Sequence, residues 1–134
     1  MRQEIYSGRL KLNGATHVET LRAANNYASS LNQLRCFEEA KALLRKMVPV
    51  AQRVHGDSDE DTLRMRWIYA ASLCNDDGAT LDDTREAVTT LEDAERIARR
   101  VLGGAHPTTA GIERDLRNTR AALRARETPS PGSS

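Results

Sequence analysis

Thr20-Leu21, Asn25-Asn26-Tyr27-Ala28 and Leu31, then Phe37-Glu38-Glu39-Ala40 and Val54-His55-Gly56, return in the same order as Thr62-Leu63, Ala70, Leu73, Arg85-Glu86-Ala87 and Val101-Leu102-Gly103. A third copy opens at His106-Pro107-Thr108-Thr109. Self-similarity at a period of about 40 residues indicates stacked helical hairpins, none of which buries its apolar face alone. Such arrays usually hold another protein rather than catalyse a reaction.

Within each copy the apolar residues fall at helical steps of three and four. Leu21, Ala24, Ala28 and Leu31 make one stripe over residues 17–33, with Thr16 or Thr20 as the candidate cap. After a turn at Gln33-Leu34-Arg35, a wider stripe follows: Phe37, Ala40, Leu43, Leu44, Met47, Val50, Ala51 and Val54. Pro49 lies inside it, yet the apolar phase continues beyond, so a kink near residues 45–49 is expected rather than a break. Gly56 can supply the left-handed residue that ends this helix. A third helix over about 59–75 repeats the first phase with Leu63, Arg66/Trp67, Ala70 and Leu73. A fourth, over about 83–102, is expected to bury Ala87, Leu91, Ala94, Ile97, Ala98 and Val101. A fifth begins at Pro107, a residue suited to the first helical turn, and runs to Arg126 with Ile112, Leu116, Thr119 and Leu123 on its apolar side.

The irregularities carry information too. Thr20 and Thr62 are 42 residues apart, whereas Thr62 and Thr109 are 47 apart. Glu39-Ala40 returns 47 residues later as Glu86-Ala87, which places five extra residues in the turn of the second hairpin, around Asn75-Asp76-Asp77-Gly78-Ala79-Thr80. In the third copy Arg117 and Arg120 stand where Ala28/Leu31 and Ala70/Leu73 face their partner helix, as a terminal capping helix requires. The expected fold is all-α: a right-handed α-α superhelix of two helical hairpins plus a C-terminal capping helix. Residues 1–15 form an N-terminal extension or partial helix, residues 16–127 the repeat domain, and the Pro- and Ser-rich residues 128–134 a disordered tail.

Composition agrees with this. Of 134 residues only five are aromatic, so the core must rest on Leu, Ala, Val, Ile and Met, which suit close helix contacts. The net charge of +1 argues against a dedicated nucleic-acid or membrane binder. It is unevenly spread, with balances of +5 over residues 1–56, −8 over 57–93 and +4 over 94–134. Solvated helix faces and loops often produce such blocks, and partner steering or self-association is the alternative. Cys36 and Cys74 have neither metal nor redox spacing and make no disulfide framework, which fits a reducing, cytoplasmic setting. No signal-like or membrane-spanning apolar run is visible.

The segment from Thr20 to Thr109 resembles the tetratricopeptide repeat in its longer, roughly 42-residue form, as in kinesin light chains. The resemblance rests on Thr20-Leu21, Asn25-Asn26-Tyr27-Ala28 and Leu31, on Phe37-Glu38-Glu39-Ala40 and Leu44, and on Leu102-Gly103-Gly104-Ala105-His106-Pro107-Thr108-Thr109. The last is close to that subfamily's inter-repeat linker. The second repeat departs from the pattern, with Trp67-Ile68 in place of the asparagine pair and no histidine-proline in His55-Gly56-Asp57-Ser58-Asp59.

The resemblance implies a non-enzymatic scaffold whose first helices line a concave face that takes a partner peptide or protein. On that face helical spacing puts Arg22, Asn25, Asn26, Ser29, Asn32 and Gln33 in repeat one, and Arg64, Trp67, Ile68, Ala71, Cys74 and Asn75 in repeat two. Asparagine offers a donor and an acceptor to an extended backbone, arginine pairs with acidic groups, and tryptophan gives a large amphipathic contact. Against this stands the reading in which the asparagines bond within the array and the tryptophan belongs to the core. A second competing reading is a structural or self-associating module, a fragment of a longer array without a ligand of its own, joined through exposed array ends.

Catalytic and metal readings do not hold up. His17, His55 and His106 lie in linkers or beside helix starts without ligand-spaced partners. Asp57-Ser58-Asp59-Glu60-Asp61 opens like a calcium loop, but Thr62 stands where glycine is needed and Ile68 where the bidentate glutamate is needed. The run instead supplies negative charge to a helix start. No phosphate-binding loop or nucleophile–base motif is present. The expected cofactor is none and the expected partner a protein or peptide, with an acidic one the natural match for the arginines. The arginine stripe Arg117, Arg120 and Arg124 lacks the interleaved aromatics of an RNA binder.

Overall fold

The computed structural model describes residues 18–127. Five helices follow one another, with no strand among the described residues: α1 (Val18–Gln33), α2 (Phe37–His55), α3 (Glu60–Cys74), α4 (Leu81–Val101) and α5 (Pro107–Glu127). The expected extension over residues 1–15, the cap at Thr16 and the tail over 128–134 lie outside the described residues. Each helix packs on the next, and α1 also packs on α3, so α1/α2 and α3/α4 are stacked hairpins and α5 covers the last of them. This is the all-α helical repeat expected from the period.

Local chemistry sets the boundaries. Arg35, with φ of 61°, takes the left-handed turn between α1 and α2. Gly56 and Gly103, with φ of 86° and 89°, turn the chain out of α2 and α4. At Gly56 the ψ of 161° is extended rather than left-handed helical, so the expected terminator is present in a different conformation. Asp59 caps α3 by accepting from the Asp61 N–H, and Glu60 and Asp61 then lie in its first turn, where the helix dipole favours them. α4 begins earlier than expected because Thr80 and Asp83 form a reciprocal capping box. The Thr80 backbone N–H holds the Asp83 carboxyl below the usual carboxylate range. Thr20 does not cap α1; it lies within the helix and is buried.

The core alternates long and small side chains. Leu44, Met47, Leu63, Met65, Leu73 and Ile112 are fully buried, and Ala24, Ala28, Ala40, Ala70, Ala87, Ala94 and Ala98 let the helices approach. Two expected core residues are corrected: Val54 and Val101 are 42% and 45% exposed. Each stands in the last turn of its helix, two residues before the glycine that turns the chain away, so burial ends with the turn before it. α2 runs unbroken across Pro49, and Met47 and Ala51 on either side are both buried.

A polar relay ties three helices together. The Arg45 guanidinium on α2 donates to Tyr69 Oη on α3 at 3.1 Å, and that hydroxyl donates to Glu86 Oε2 on α4 at 2.5 Å. Burial, then the bond to Glu86, raises the Tyr69 pKa above the ordinary phenol value. A phenol raised in the folded state contributes stability that is full below the unfolded value near 10 and is lost as pH rises through the folded value. Tyr69→Phe should cost about 1 kcal/mol at neutral pH, because both charged partners retain water. It should also shrink the loss of thermal stability as pH rises above about 10, relative to wild type. Melting curves of the two proteins across that range check both points, and parallel alkaline profiles would rule the linkage out.

Candidate functional site

The first helices α1 and α3 lie side by side, and a groove of ≈ 470 Å³ runs between them. Its walls come from Asn25, Asn26, Ser29, Asn32 and Gln33 on α1 and from Arg64, Trp67, Ile68, Ala71 and Asn75, which closes α3. Ten of the twelve residues singled out from the sequence therefore share one surface. Of the other two, Cys74 lies outside the groove lining and borders the neighbouring spaces toward α5, and Arg22 stands at the groove's edge in an adjoining cleft with Asn25, Asn26, Glu60, Asp61 and Arg64. The Arg22 guanidinium is held by Asp61 at 3.1 Å.

The asparagines divide by role. Asn25 Nδ2 donates to the Asp61 carbonyl at 3.1 Å, and Asn32 Nδ2 donates to the Ile68 carbonyl at 3.2 Å. These residues are seven apart on α1 and so are their acceptors on α3, which makes two clamps two helical turns apart. The within-array bonding weighed above thus holds for the amide N–H groups of Asn25 and Asn32, although both still line the groove. Each keeps its Oδ1 buried without a hydrogen-bond partner among the described residues. Asn26 and Gln33, one position further round the helix, are exposed, and Arg64 on the opposite wall has neither hydrogen bond nor ion pair among the described residues. Asn25→Ala and Asn32→Ala should each cost about 1 kcal/mol through the lost clamp, and chemical denaturation with unchanged m-values checks this.

Trp67 plays two parts. One side of the indole lines the groove. Its Nε1–H donates to Asp115 Oδ2 on α5 at 2.6 Å, and the six-membered ring lies against Gly111, where no side chain intervenes. Trp67 stands at the same repeat position as Asn25, so the second repeat replaces an amide clamp with an aromatic wedge. α3 and α5 meet less extensively than α1 and α3, and the indole bridges that interval. Gly111 and Asp115 escaped the sequence reading. The signal was there: the register runs Arg22, Arg64, Gly111, and a glycine within a helix after two arginines marks a close approach.

Burial raises the Cys74 thiol pKa, outweighing the opposing contact with Thr119 Oγ1 at 3.9 Å, and so favours the protonated thiol at neutral pH. Some of the charge in the sequence's blocks is paired within the fold. Arg22–Asp61, Arg35–Asp77, Arg120–Glu92 and Arg85–Glu127 each join an acidic and a basic segment. At the start of α5, His106 Nδ1 accepts from the Thr108 N–H, and Thr108 Oγ1 donates to Glu60, so this linker histidine serves as a cap. Among the described residues, no group of three or more His, Cys, Asp and Glu is placed to hold a metal ion. No helix among them is long and apolar enough to cross a membrane.

Paired helices stacked through small residues, with a groove along their first members, define an all-α helical repeat fold. Residues 20–61 match the tetratricopeptide repeat family model, which supports a tetratricopeptide-repeat protein. The matched span begins at buried Thr20 in α1, takes in all of α2 and ends at Asp61, the residue that accepts from Asn25 and Arg22. No curated protein matches the chain. Tetratricopeptide repeats are in general protein-interaction modules and non-enzymatic.

Proposed function

We propose that the chain is a non-enzymatic interaction module that holds an extended peptide segment of a partner protein in the groove between α1 and α3. The observation that carries this reading is the set of uncommitted polar groups at that surface. Asn26, Gln33 and Arg64 face solvent there, while the neighbouring Asn25, Asn32 and Arg22 are used to hold the walls. Free amides can meet both the N–H and C=O of a strand-like ligand, and Trp67, Ile68 and Ala71 supply apolar contact beside them. The resemblance of Leu102 to Thr109 to the kinesin light chain linker supports a scaffold of that kind and assigns no motor attachment.

Affinity capture with quantitative mass spectrometry tests the reading when wild type is run beside Asn26→Ala, Arg64→Ala and Arg53→Ala. The first two remove exposed groove groups; Arg53 is exposed on α2, away from the groove. Proteins retained by wild type and Arg53→Ala should fall severalfold with both groove variants. Equal capture by all four proteins would rule out the groove as the binding site.

A further inference from the structure

The five residues that lengthen the turn after α3 build a wall. The Gly78 N–H donates to Asp76 Oδ1 at 3.0 Å, and the Ala79 N–H donates to the Asp76 carbonyl at 2.9 Å. Arg126, from the last turn of α5, donates to the Ala79 carbonyl at 3.0 Å and to Thr84 Oγ1 at 3.2 Å. The loop is thereby held across from α5, and a cavity of ≈ 520 Å³ lies between them with Asp76, Asp77 and Asn118 among its lining.

This cavity adjoins the groove along α3. Asn75 lines both, and a smaller space of ≈ 130 Å³ beside Trp67, bounded by Asn75, Asp115 and Asn118, shares lining residues with each. Together the three spaces follow α3 from Arg64 to the inserted loop, and the charge along them changes sign on the way. At one end stands Arg64 without a partner among the described residues; toward the other stand Asp76, Asp77 and Asp115 against Arg126. Arg126 is already committed to the loop backbone. Arg35 reaches Asp77 at 3.2 Å, but the two side chains are 58% and 97% exposed, so that pair is weak and replaceable.

We propose that the inserted loop makes a subsite for a basic side chain, so that the bound peptide carries an acidic residue over Arg64 and a lysine or arginine about five residues away, against Asp76 and Asp77. The spacing follows from the helix. Ten residues of α3 from Arg64 to Cys74 rise about 15 Å, and an extended chain covers about 3.3 Å per residue. This rests on the groove reading above and adds to it a polarity and a charge spacing.

The test is an array of immobilised synthetic dodecapeptides in which one glutamate and one lysine move independently through a fixed neutral background, probed with the purified protein. Wild type should be retained best at separations of four to six residues, and replacing the lysine with norleucine should lower retention about three- to fivefold. The Asp76→Asn/Asp77→Asn double variant should lose the lysine preference and keep that for glutamate, and Arg64→Gln should do the reverse. Asparagine at 76 still accepts from Gly78, and both sites are at the surface, so matched melting temperatures confirm intact folding. Retention indifferent to lysine in wild type, or a lysine preference that survives in the double variant, overturns the subsite and leaves the groove standing. Retention of no peptide overturns both.

Discussion

Gly111→Ala is expected to destabilise the protein by about 1–3 kcal/mol, although the same change in an ordinary helix interior stabilises by about 0.5–1 kcal/mol. The sign turns on one contact. A methyl group at Gly111 would fall well inside contact distance of two carbons of the Trp67 ring, so either α5 or the indole must move. Moving the indole breaks its bond to Asp115 and pushes it into the groove it now borders. Trp67 is the only tryptophan in the chain, so its fluorescence reports the displacement directly as a red shift. The decisive comparison is a double-mutant cycle: in a Trp67→Ala background the clash is gone, and Gly111→Ala should become stabilising by roughly its helix propensity. If Gly111→Ala changes stability equally in both backgrounds, the wedge is not what sets the α3–α5 spacing.

What the sequence made legible, and what it hid, divides along one line. The helices, the inserted turn and the capping role of α5 are written as a period, and a period survives reading in one dimension. The groove followed because equivalent positions on stacked helices must share a face. Within that face the reading lost resolution. Asn25 and Asn26 differ by 100° around the helix, and that rotation separates a clamp on the α3 carbonyls from an exposed groove amide. The apolar pattern does not fix the helix's rotation to that accuracy. Val54 and Val101 misled for a related reason: their phase is correct, but burial also requires a neighbour at that height, and the glycines two residues on end the neighbourhood. The Arg45–Tyr69–Glu86 relay could not be read at all, since it joins three helices across separations of 24 and 17 residues that belong to no repeat.

Pro49→Ala is expected to raise stability by about 1–3 kcal/mol. Proline within a helix has no N–H to give the carbonyl four residues back and crowds it with its ring. Here that carbonyl belongs to Arg45, whose side chain starts the relay to Tyr69 and Glu86. α2 nevertheless stays helical from Phe37 to His55, and Pro49 itself is exposed, so alanine removes the penalty without opening a cavity. For a domain of this size the gain corresponds to a rise of about 3–10 °C in melting temperature. The opposing possibility is specific. If the proline's bend lets both Met47 and Ala51 reach the core, straightening α2 would pull one of them out, and burial of a methionine is worth about as much as the proline costs. A fall in melting temperature would therefore show that Pro49 shapes α2 to its stack, and an Ala51→Gly control, which trims the same side of the helix, would then lose less in the alanine variant than in wild type.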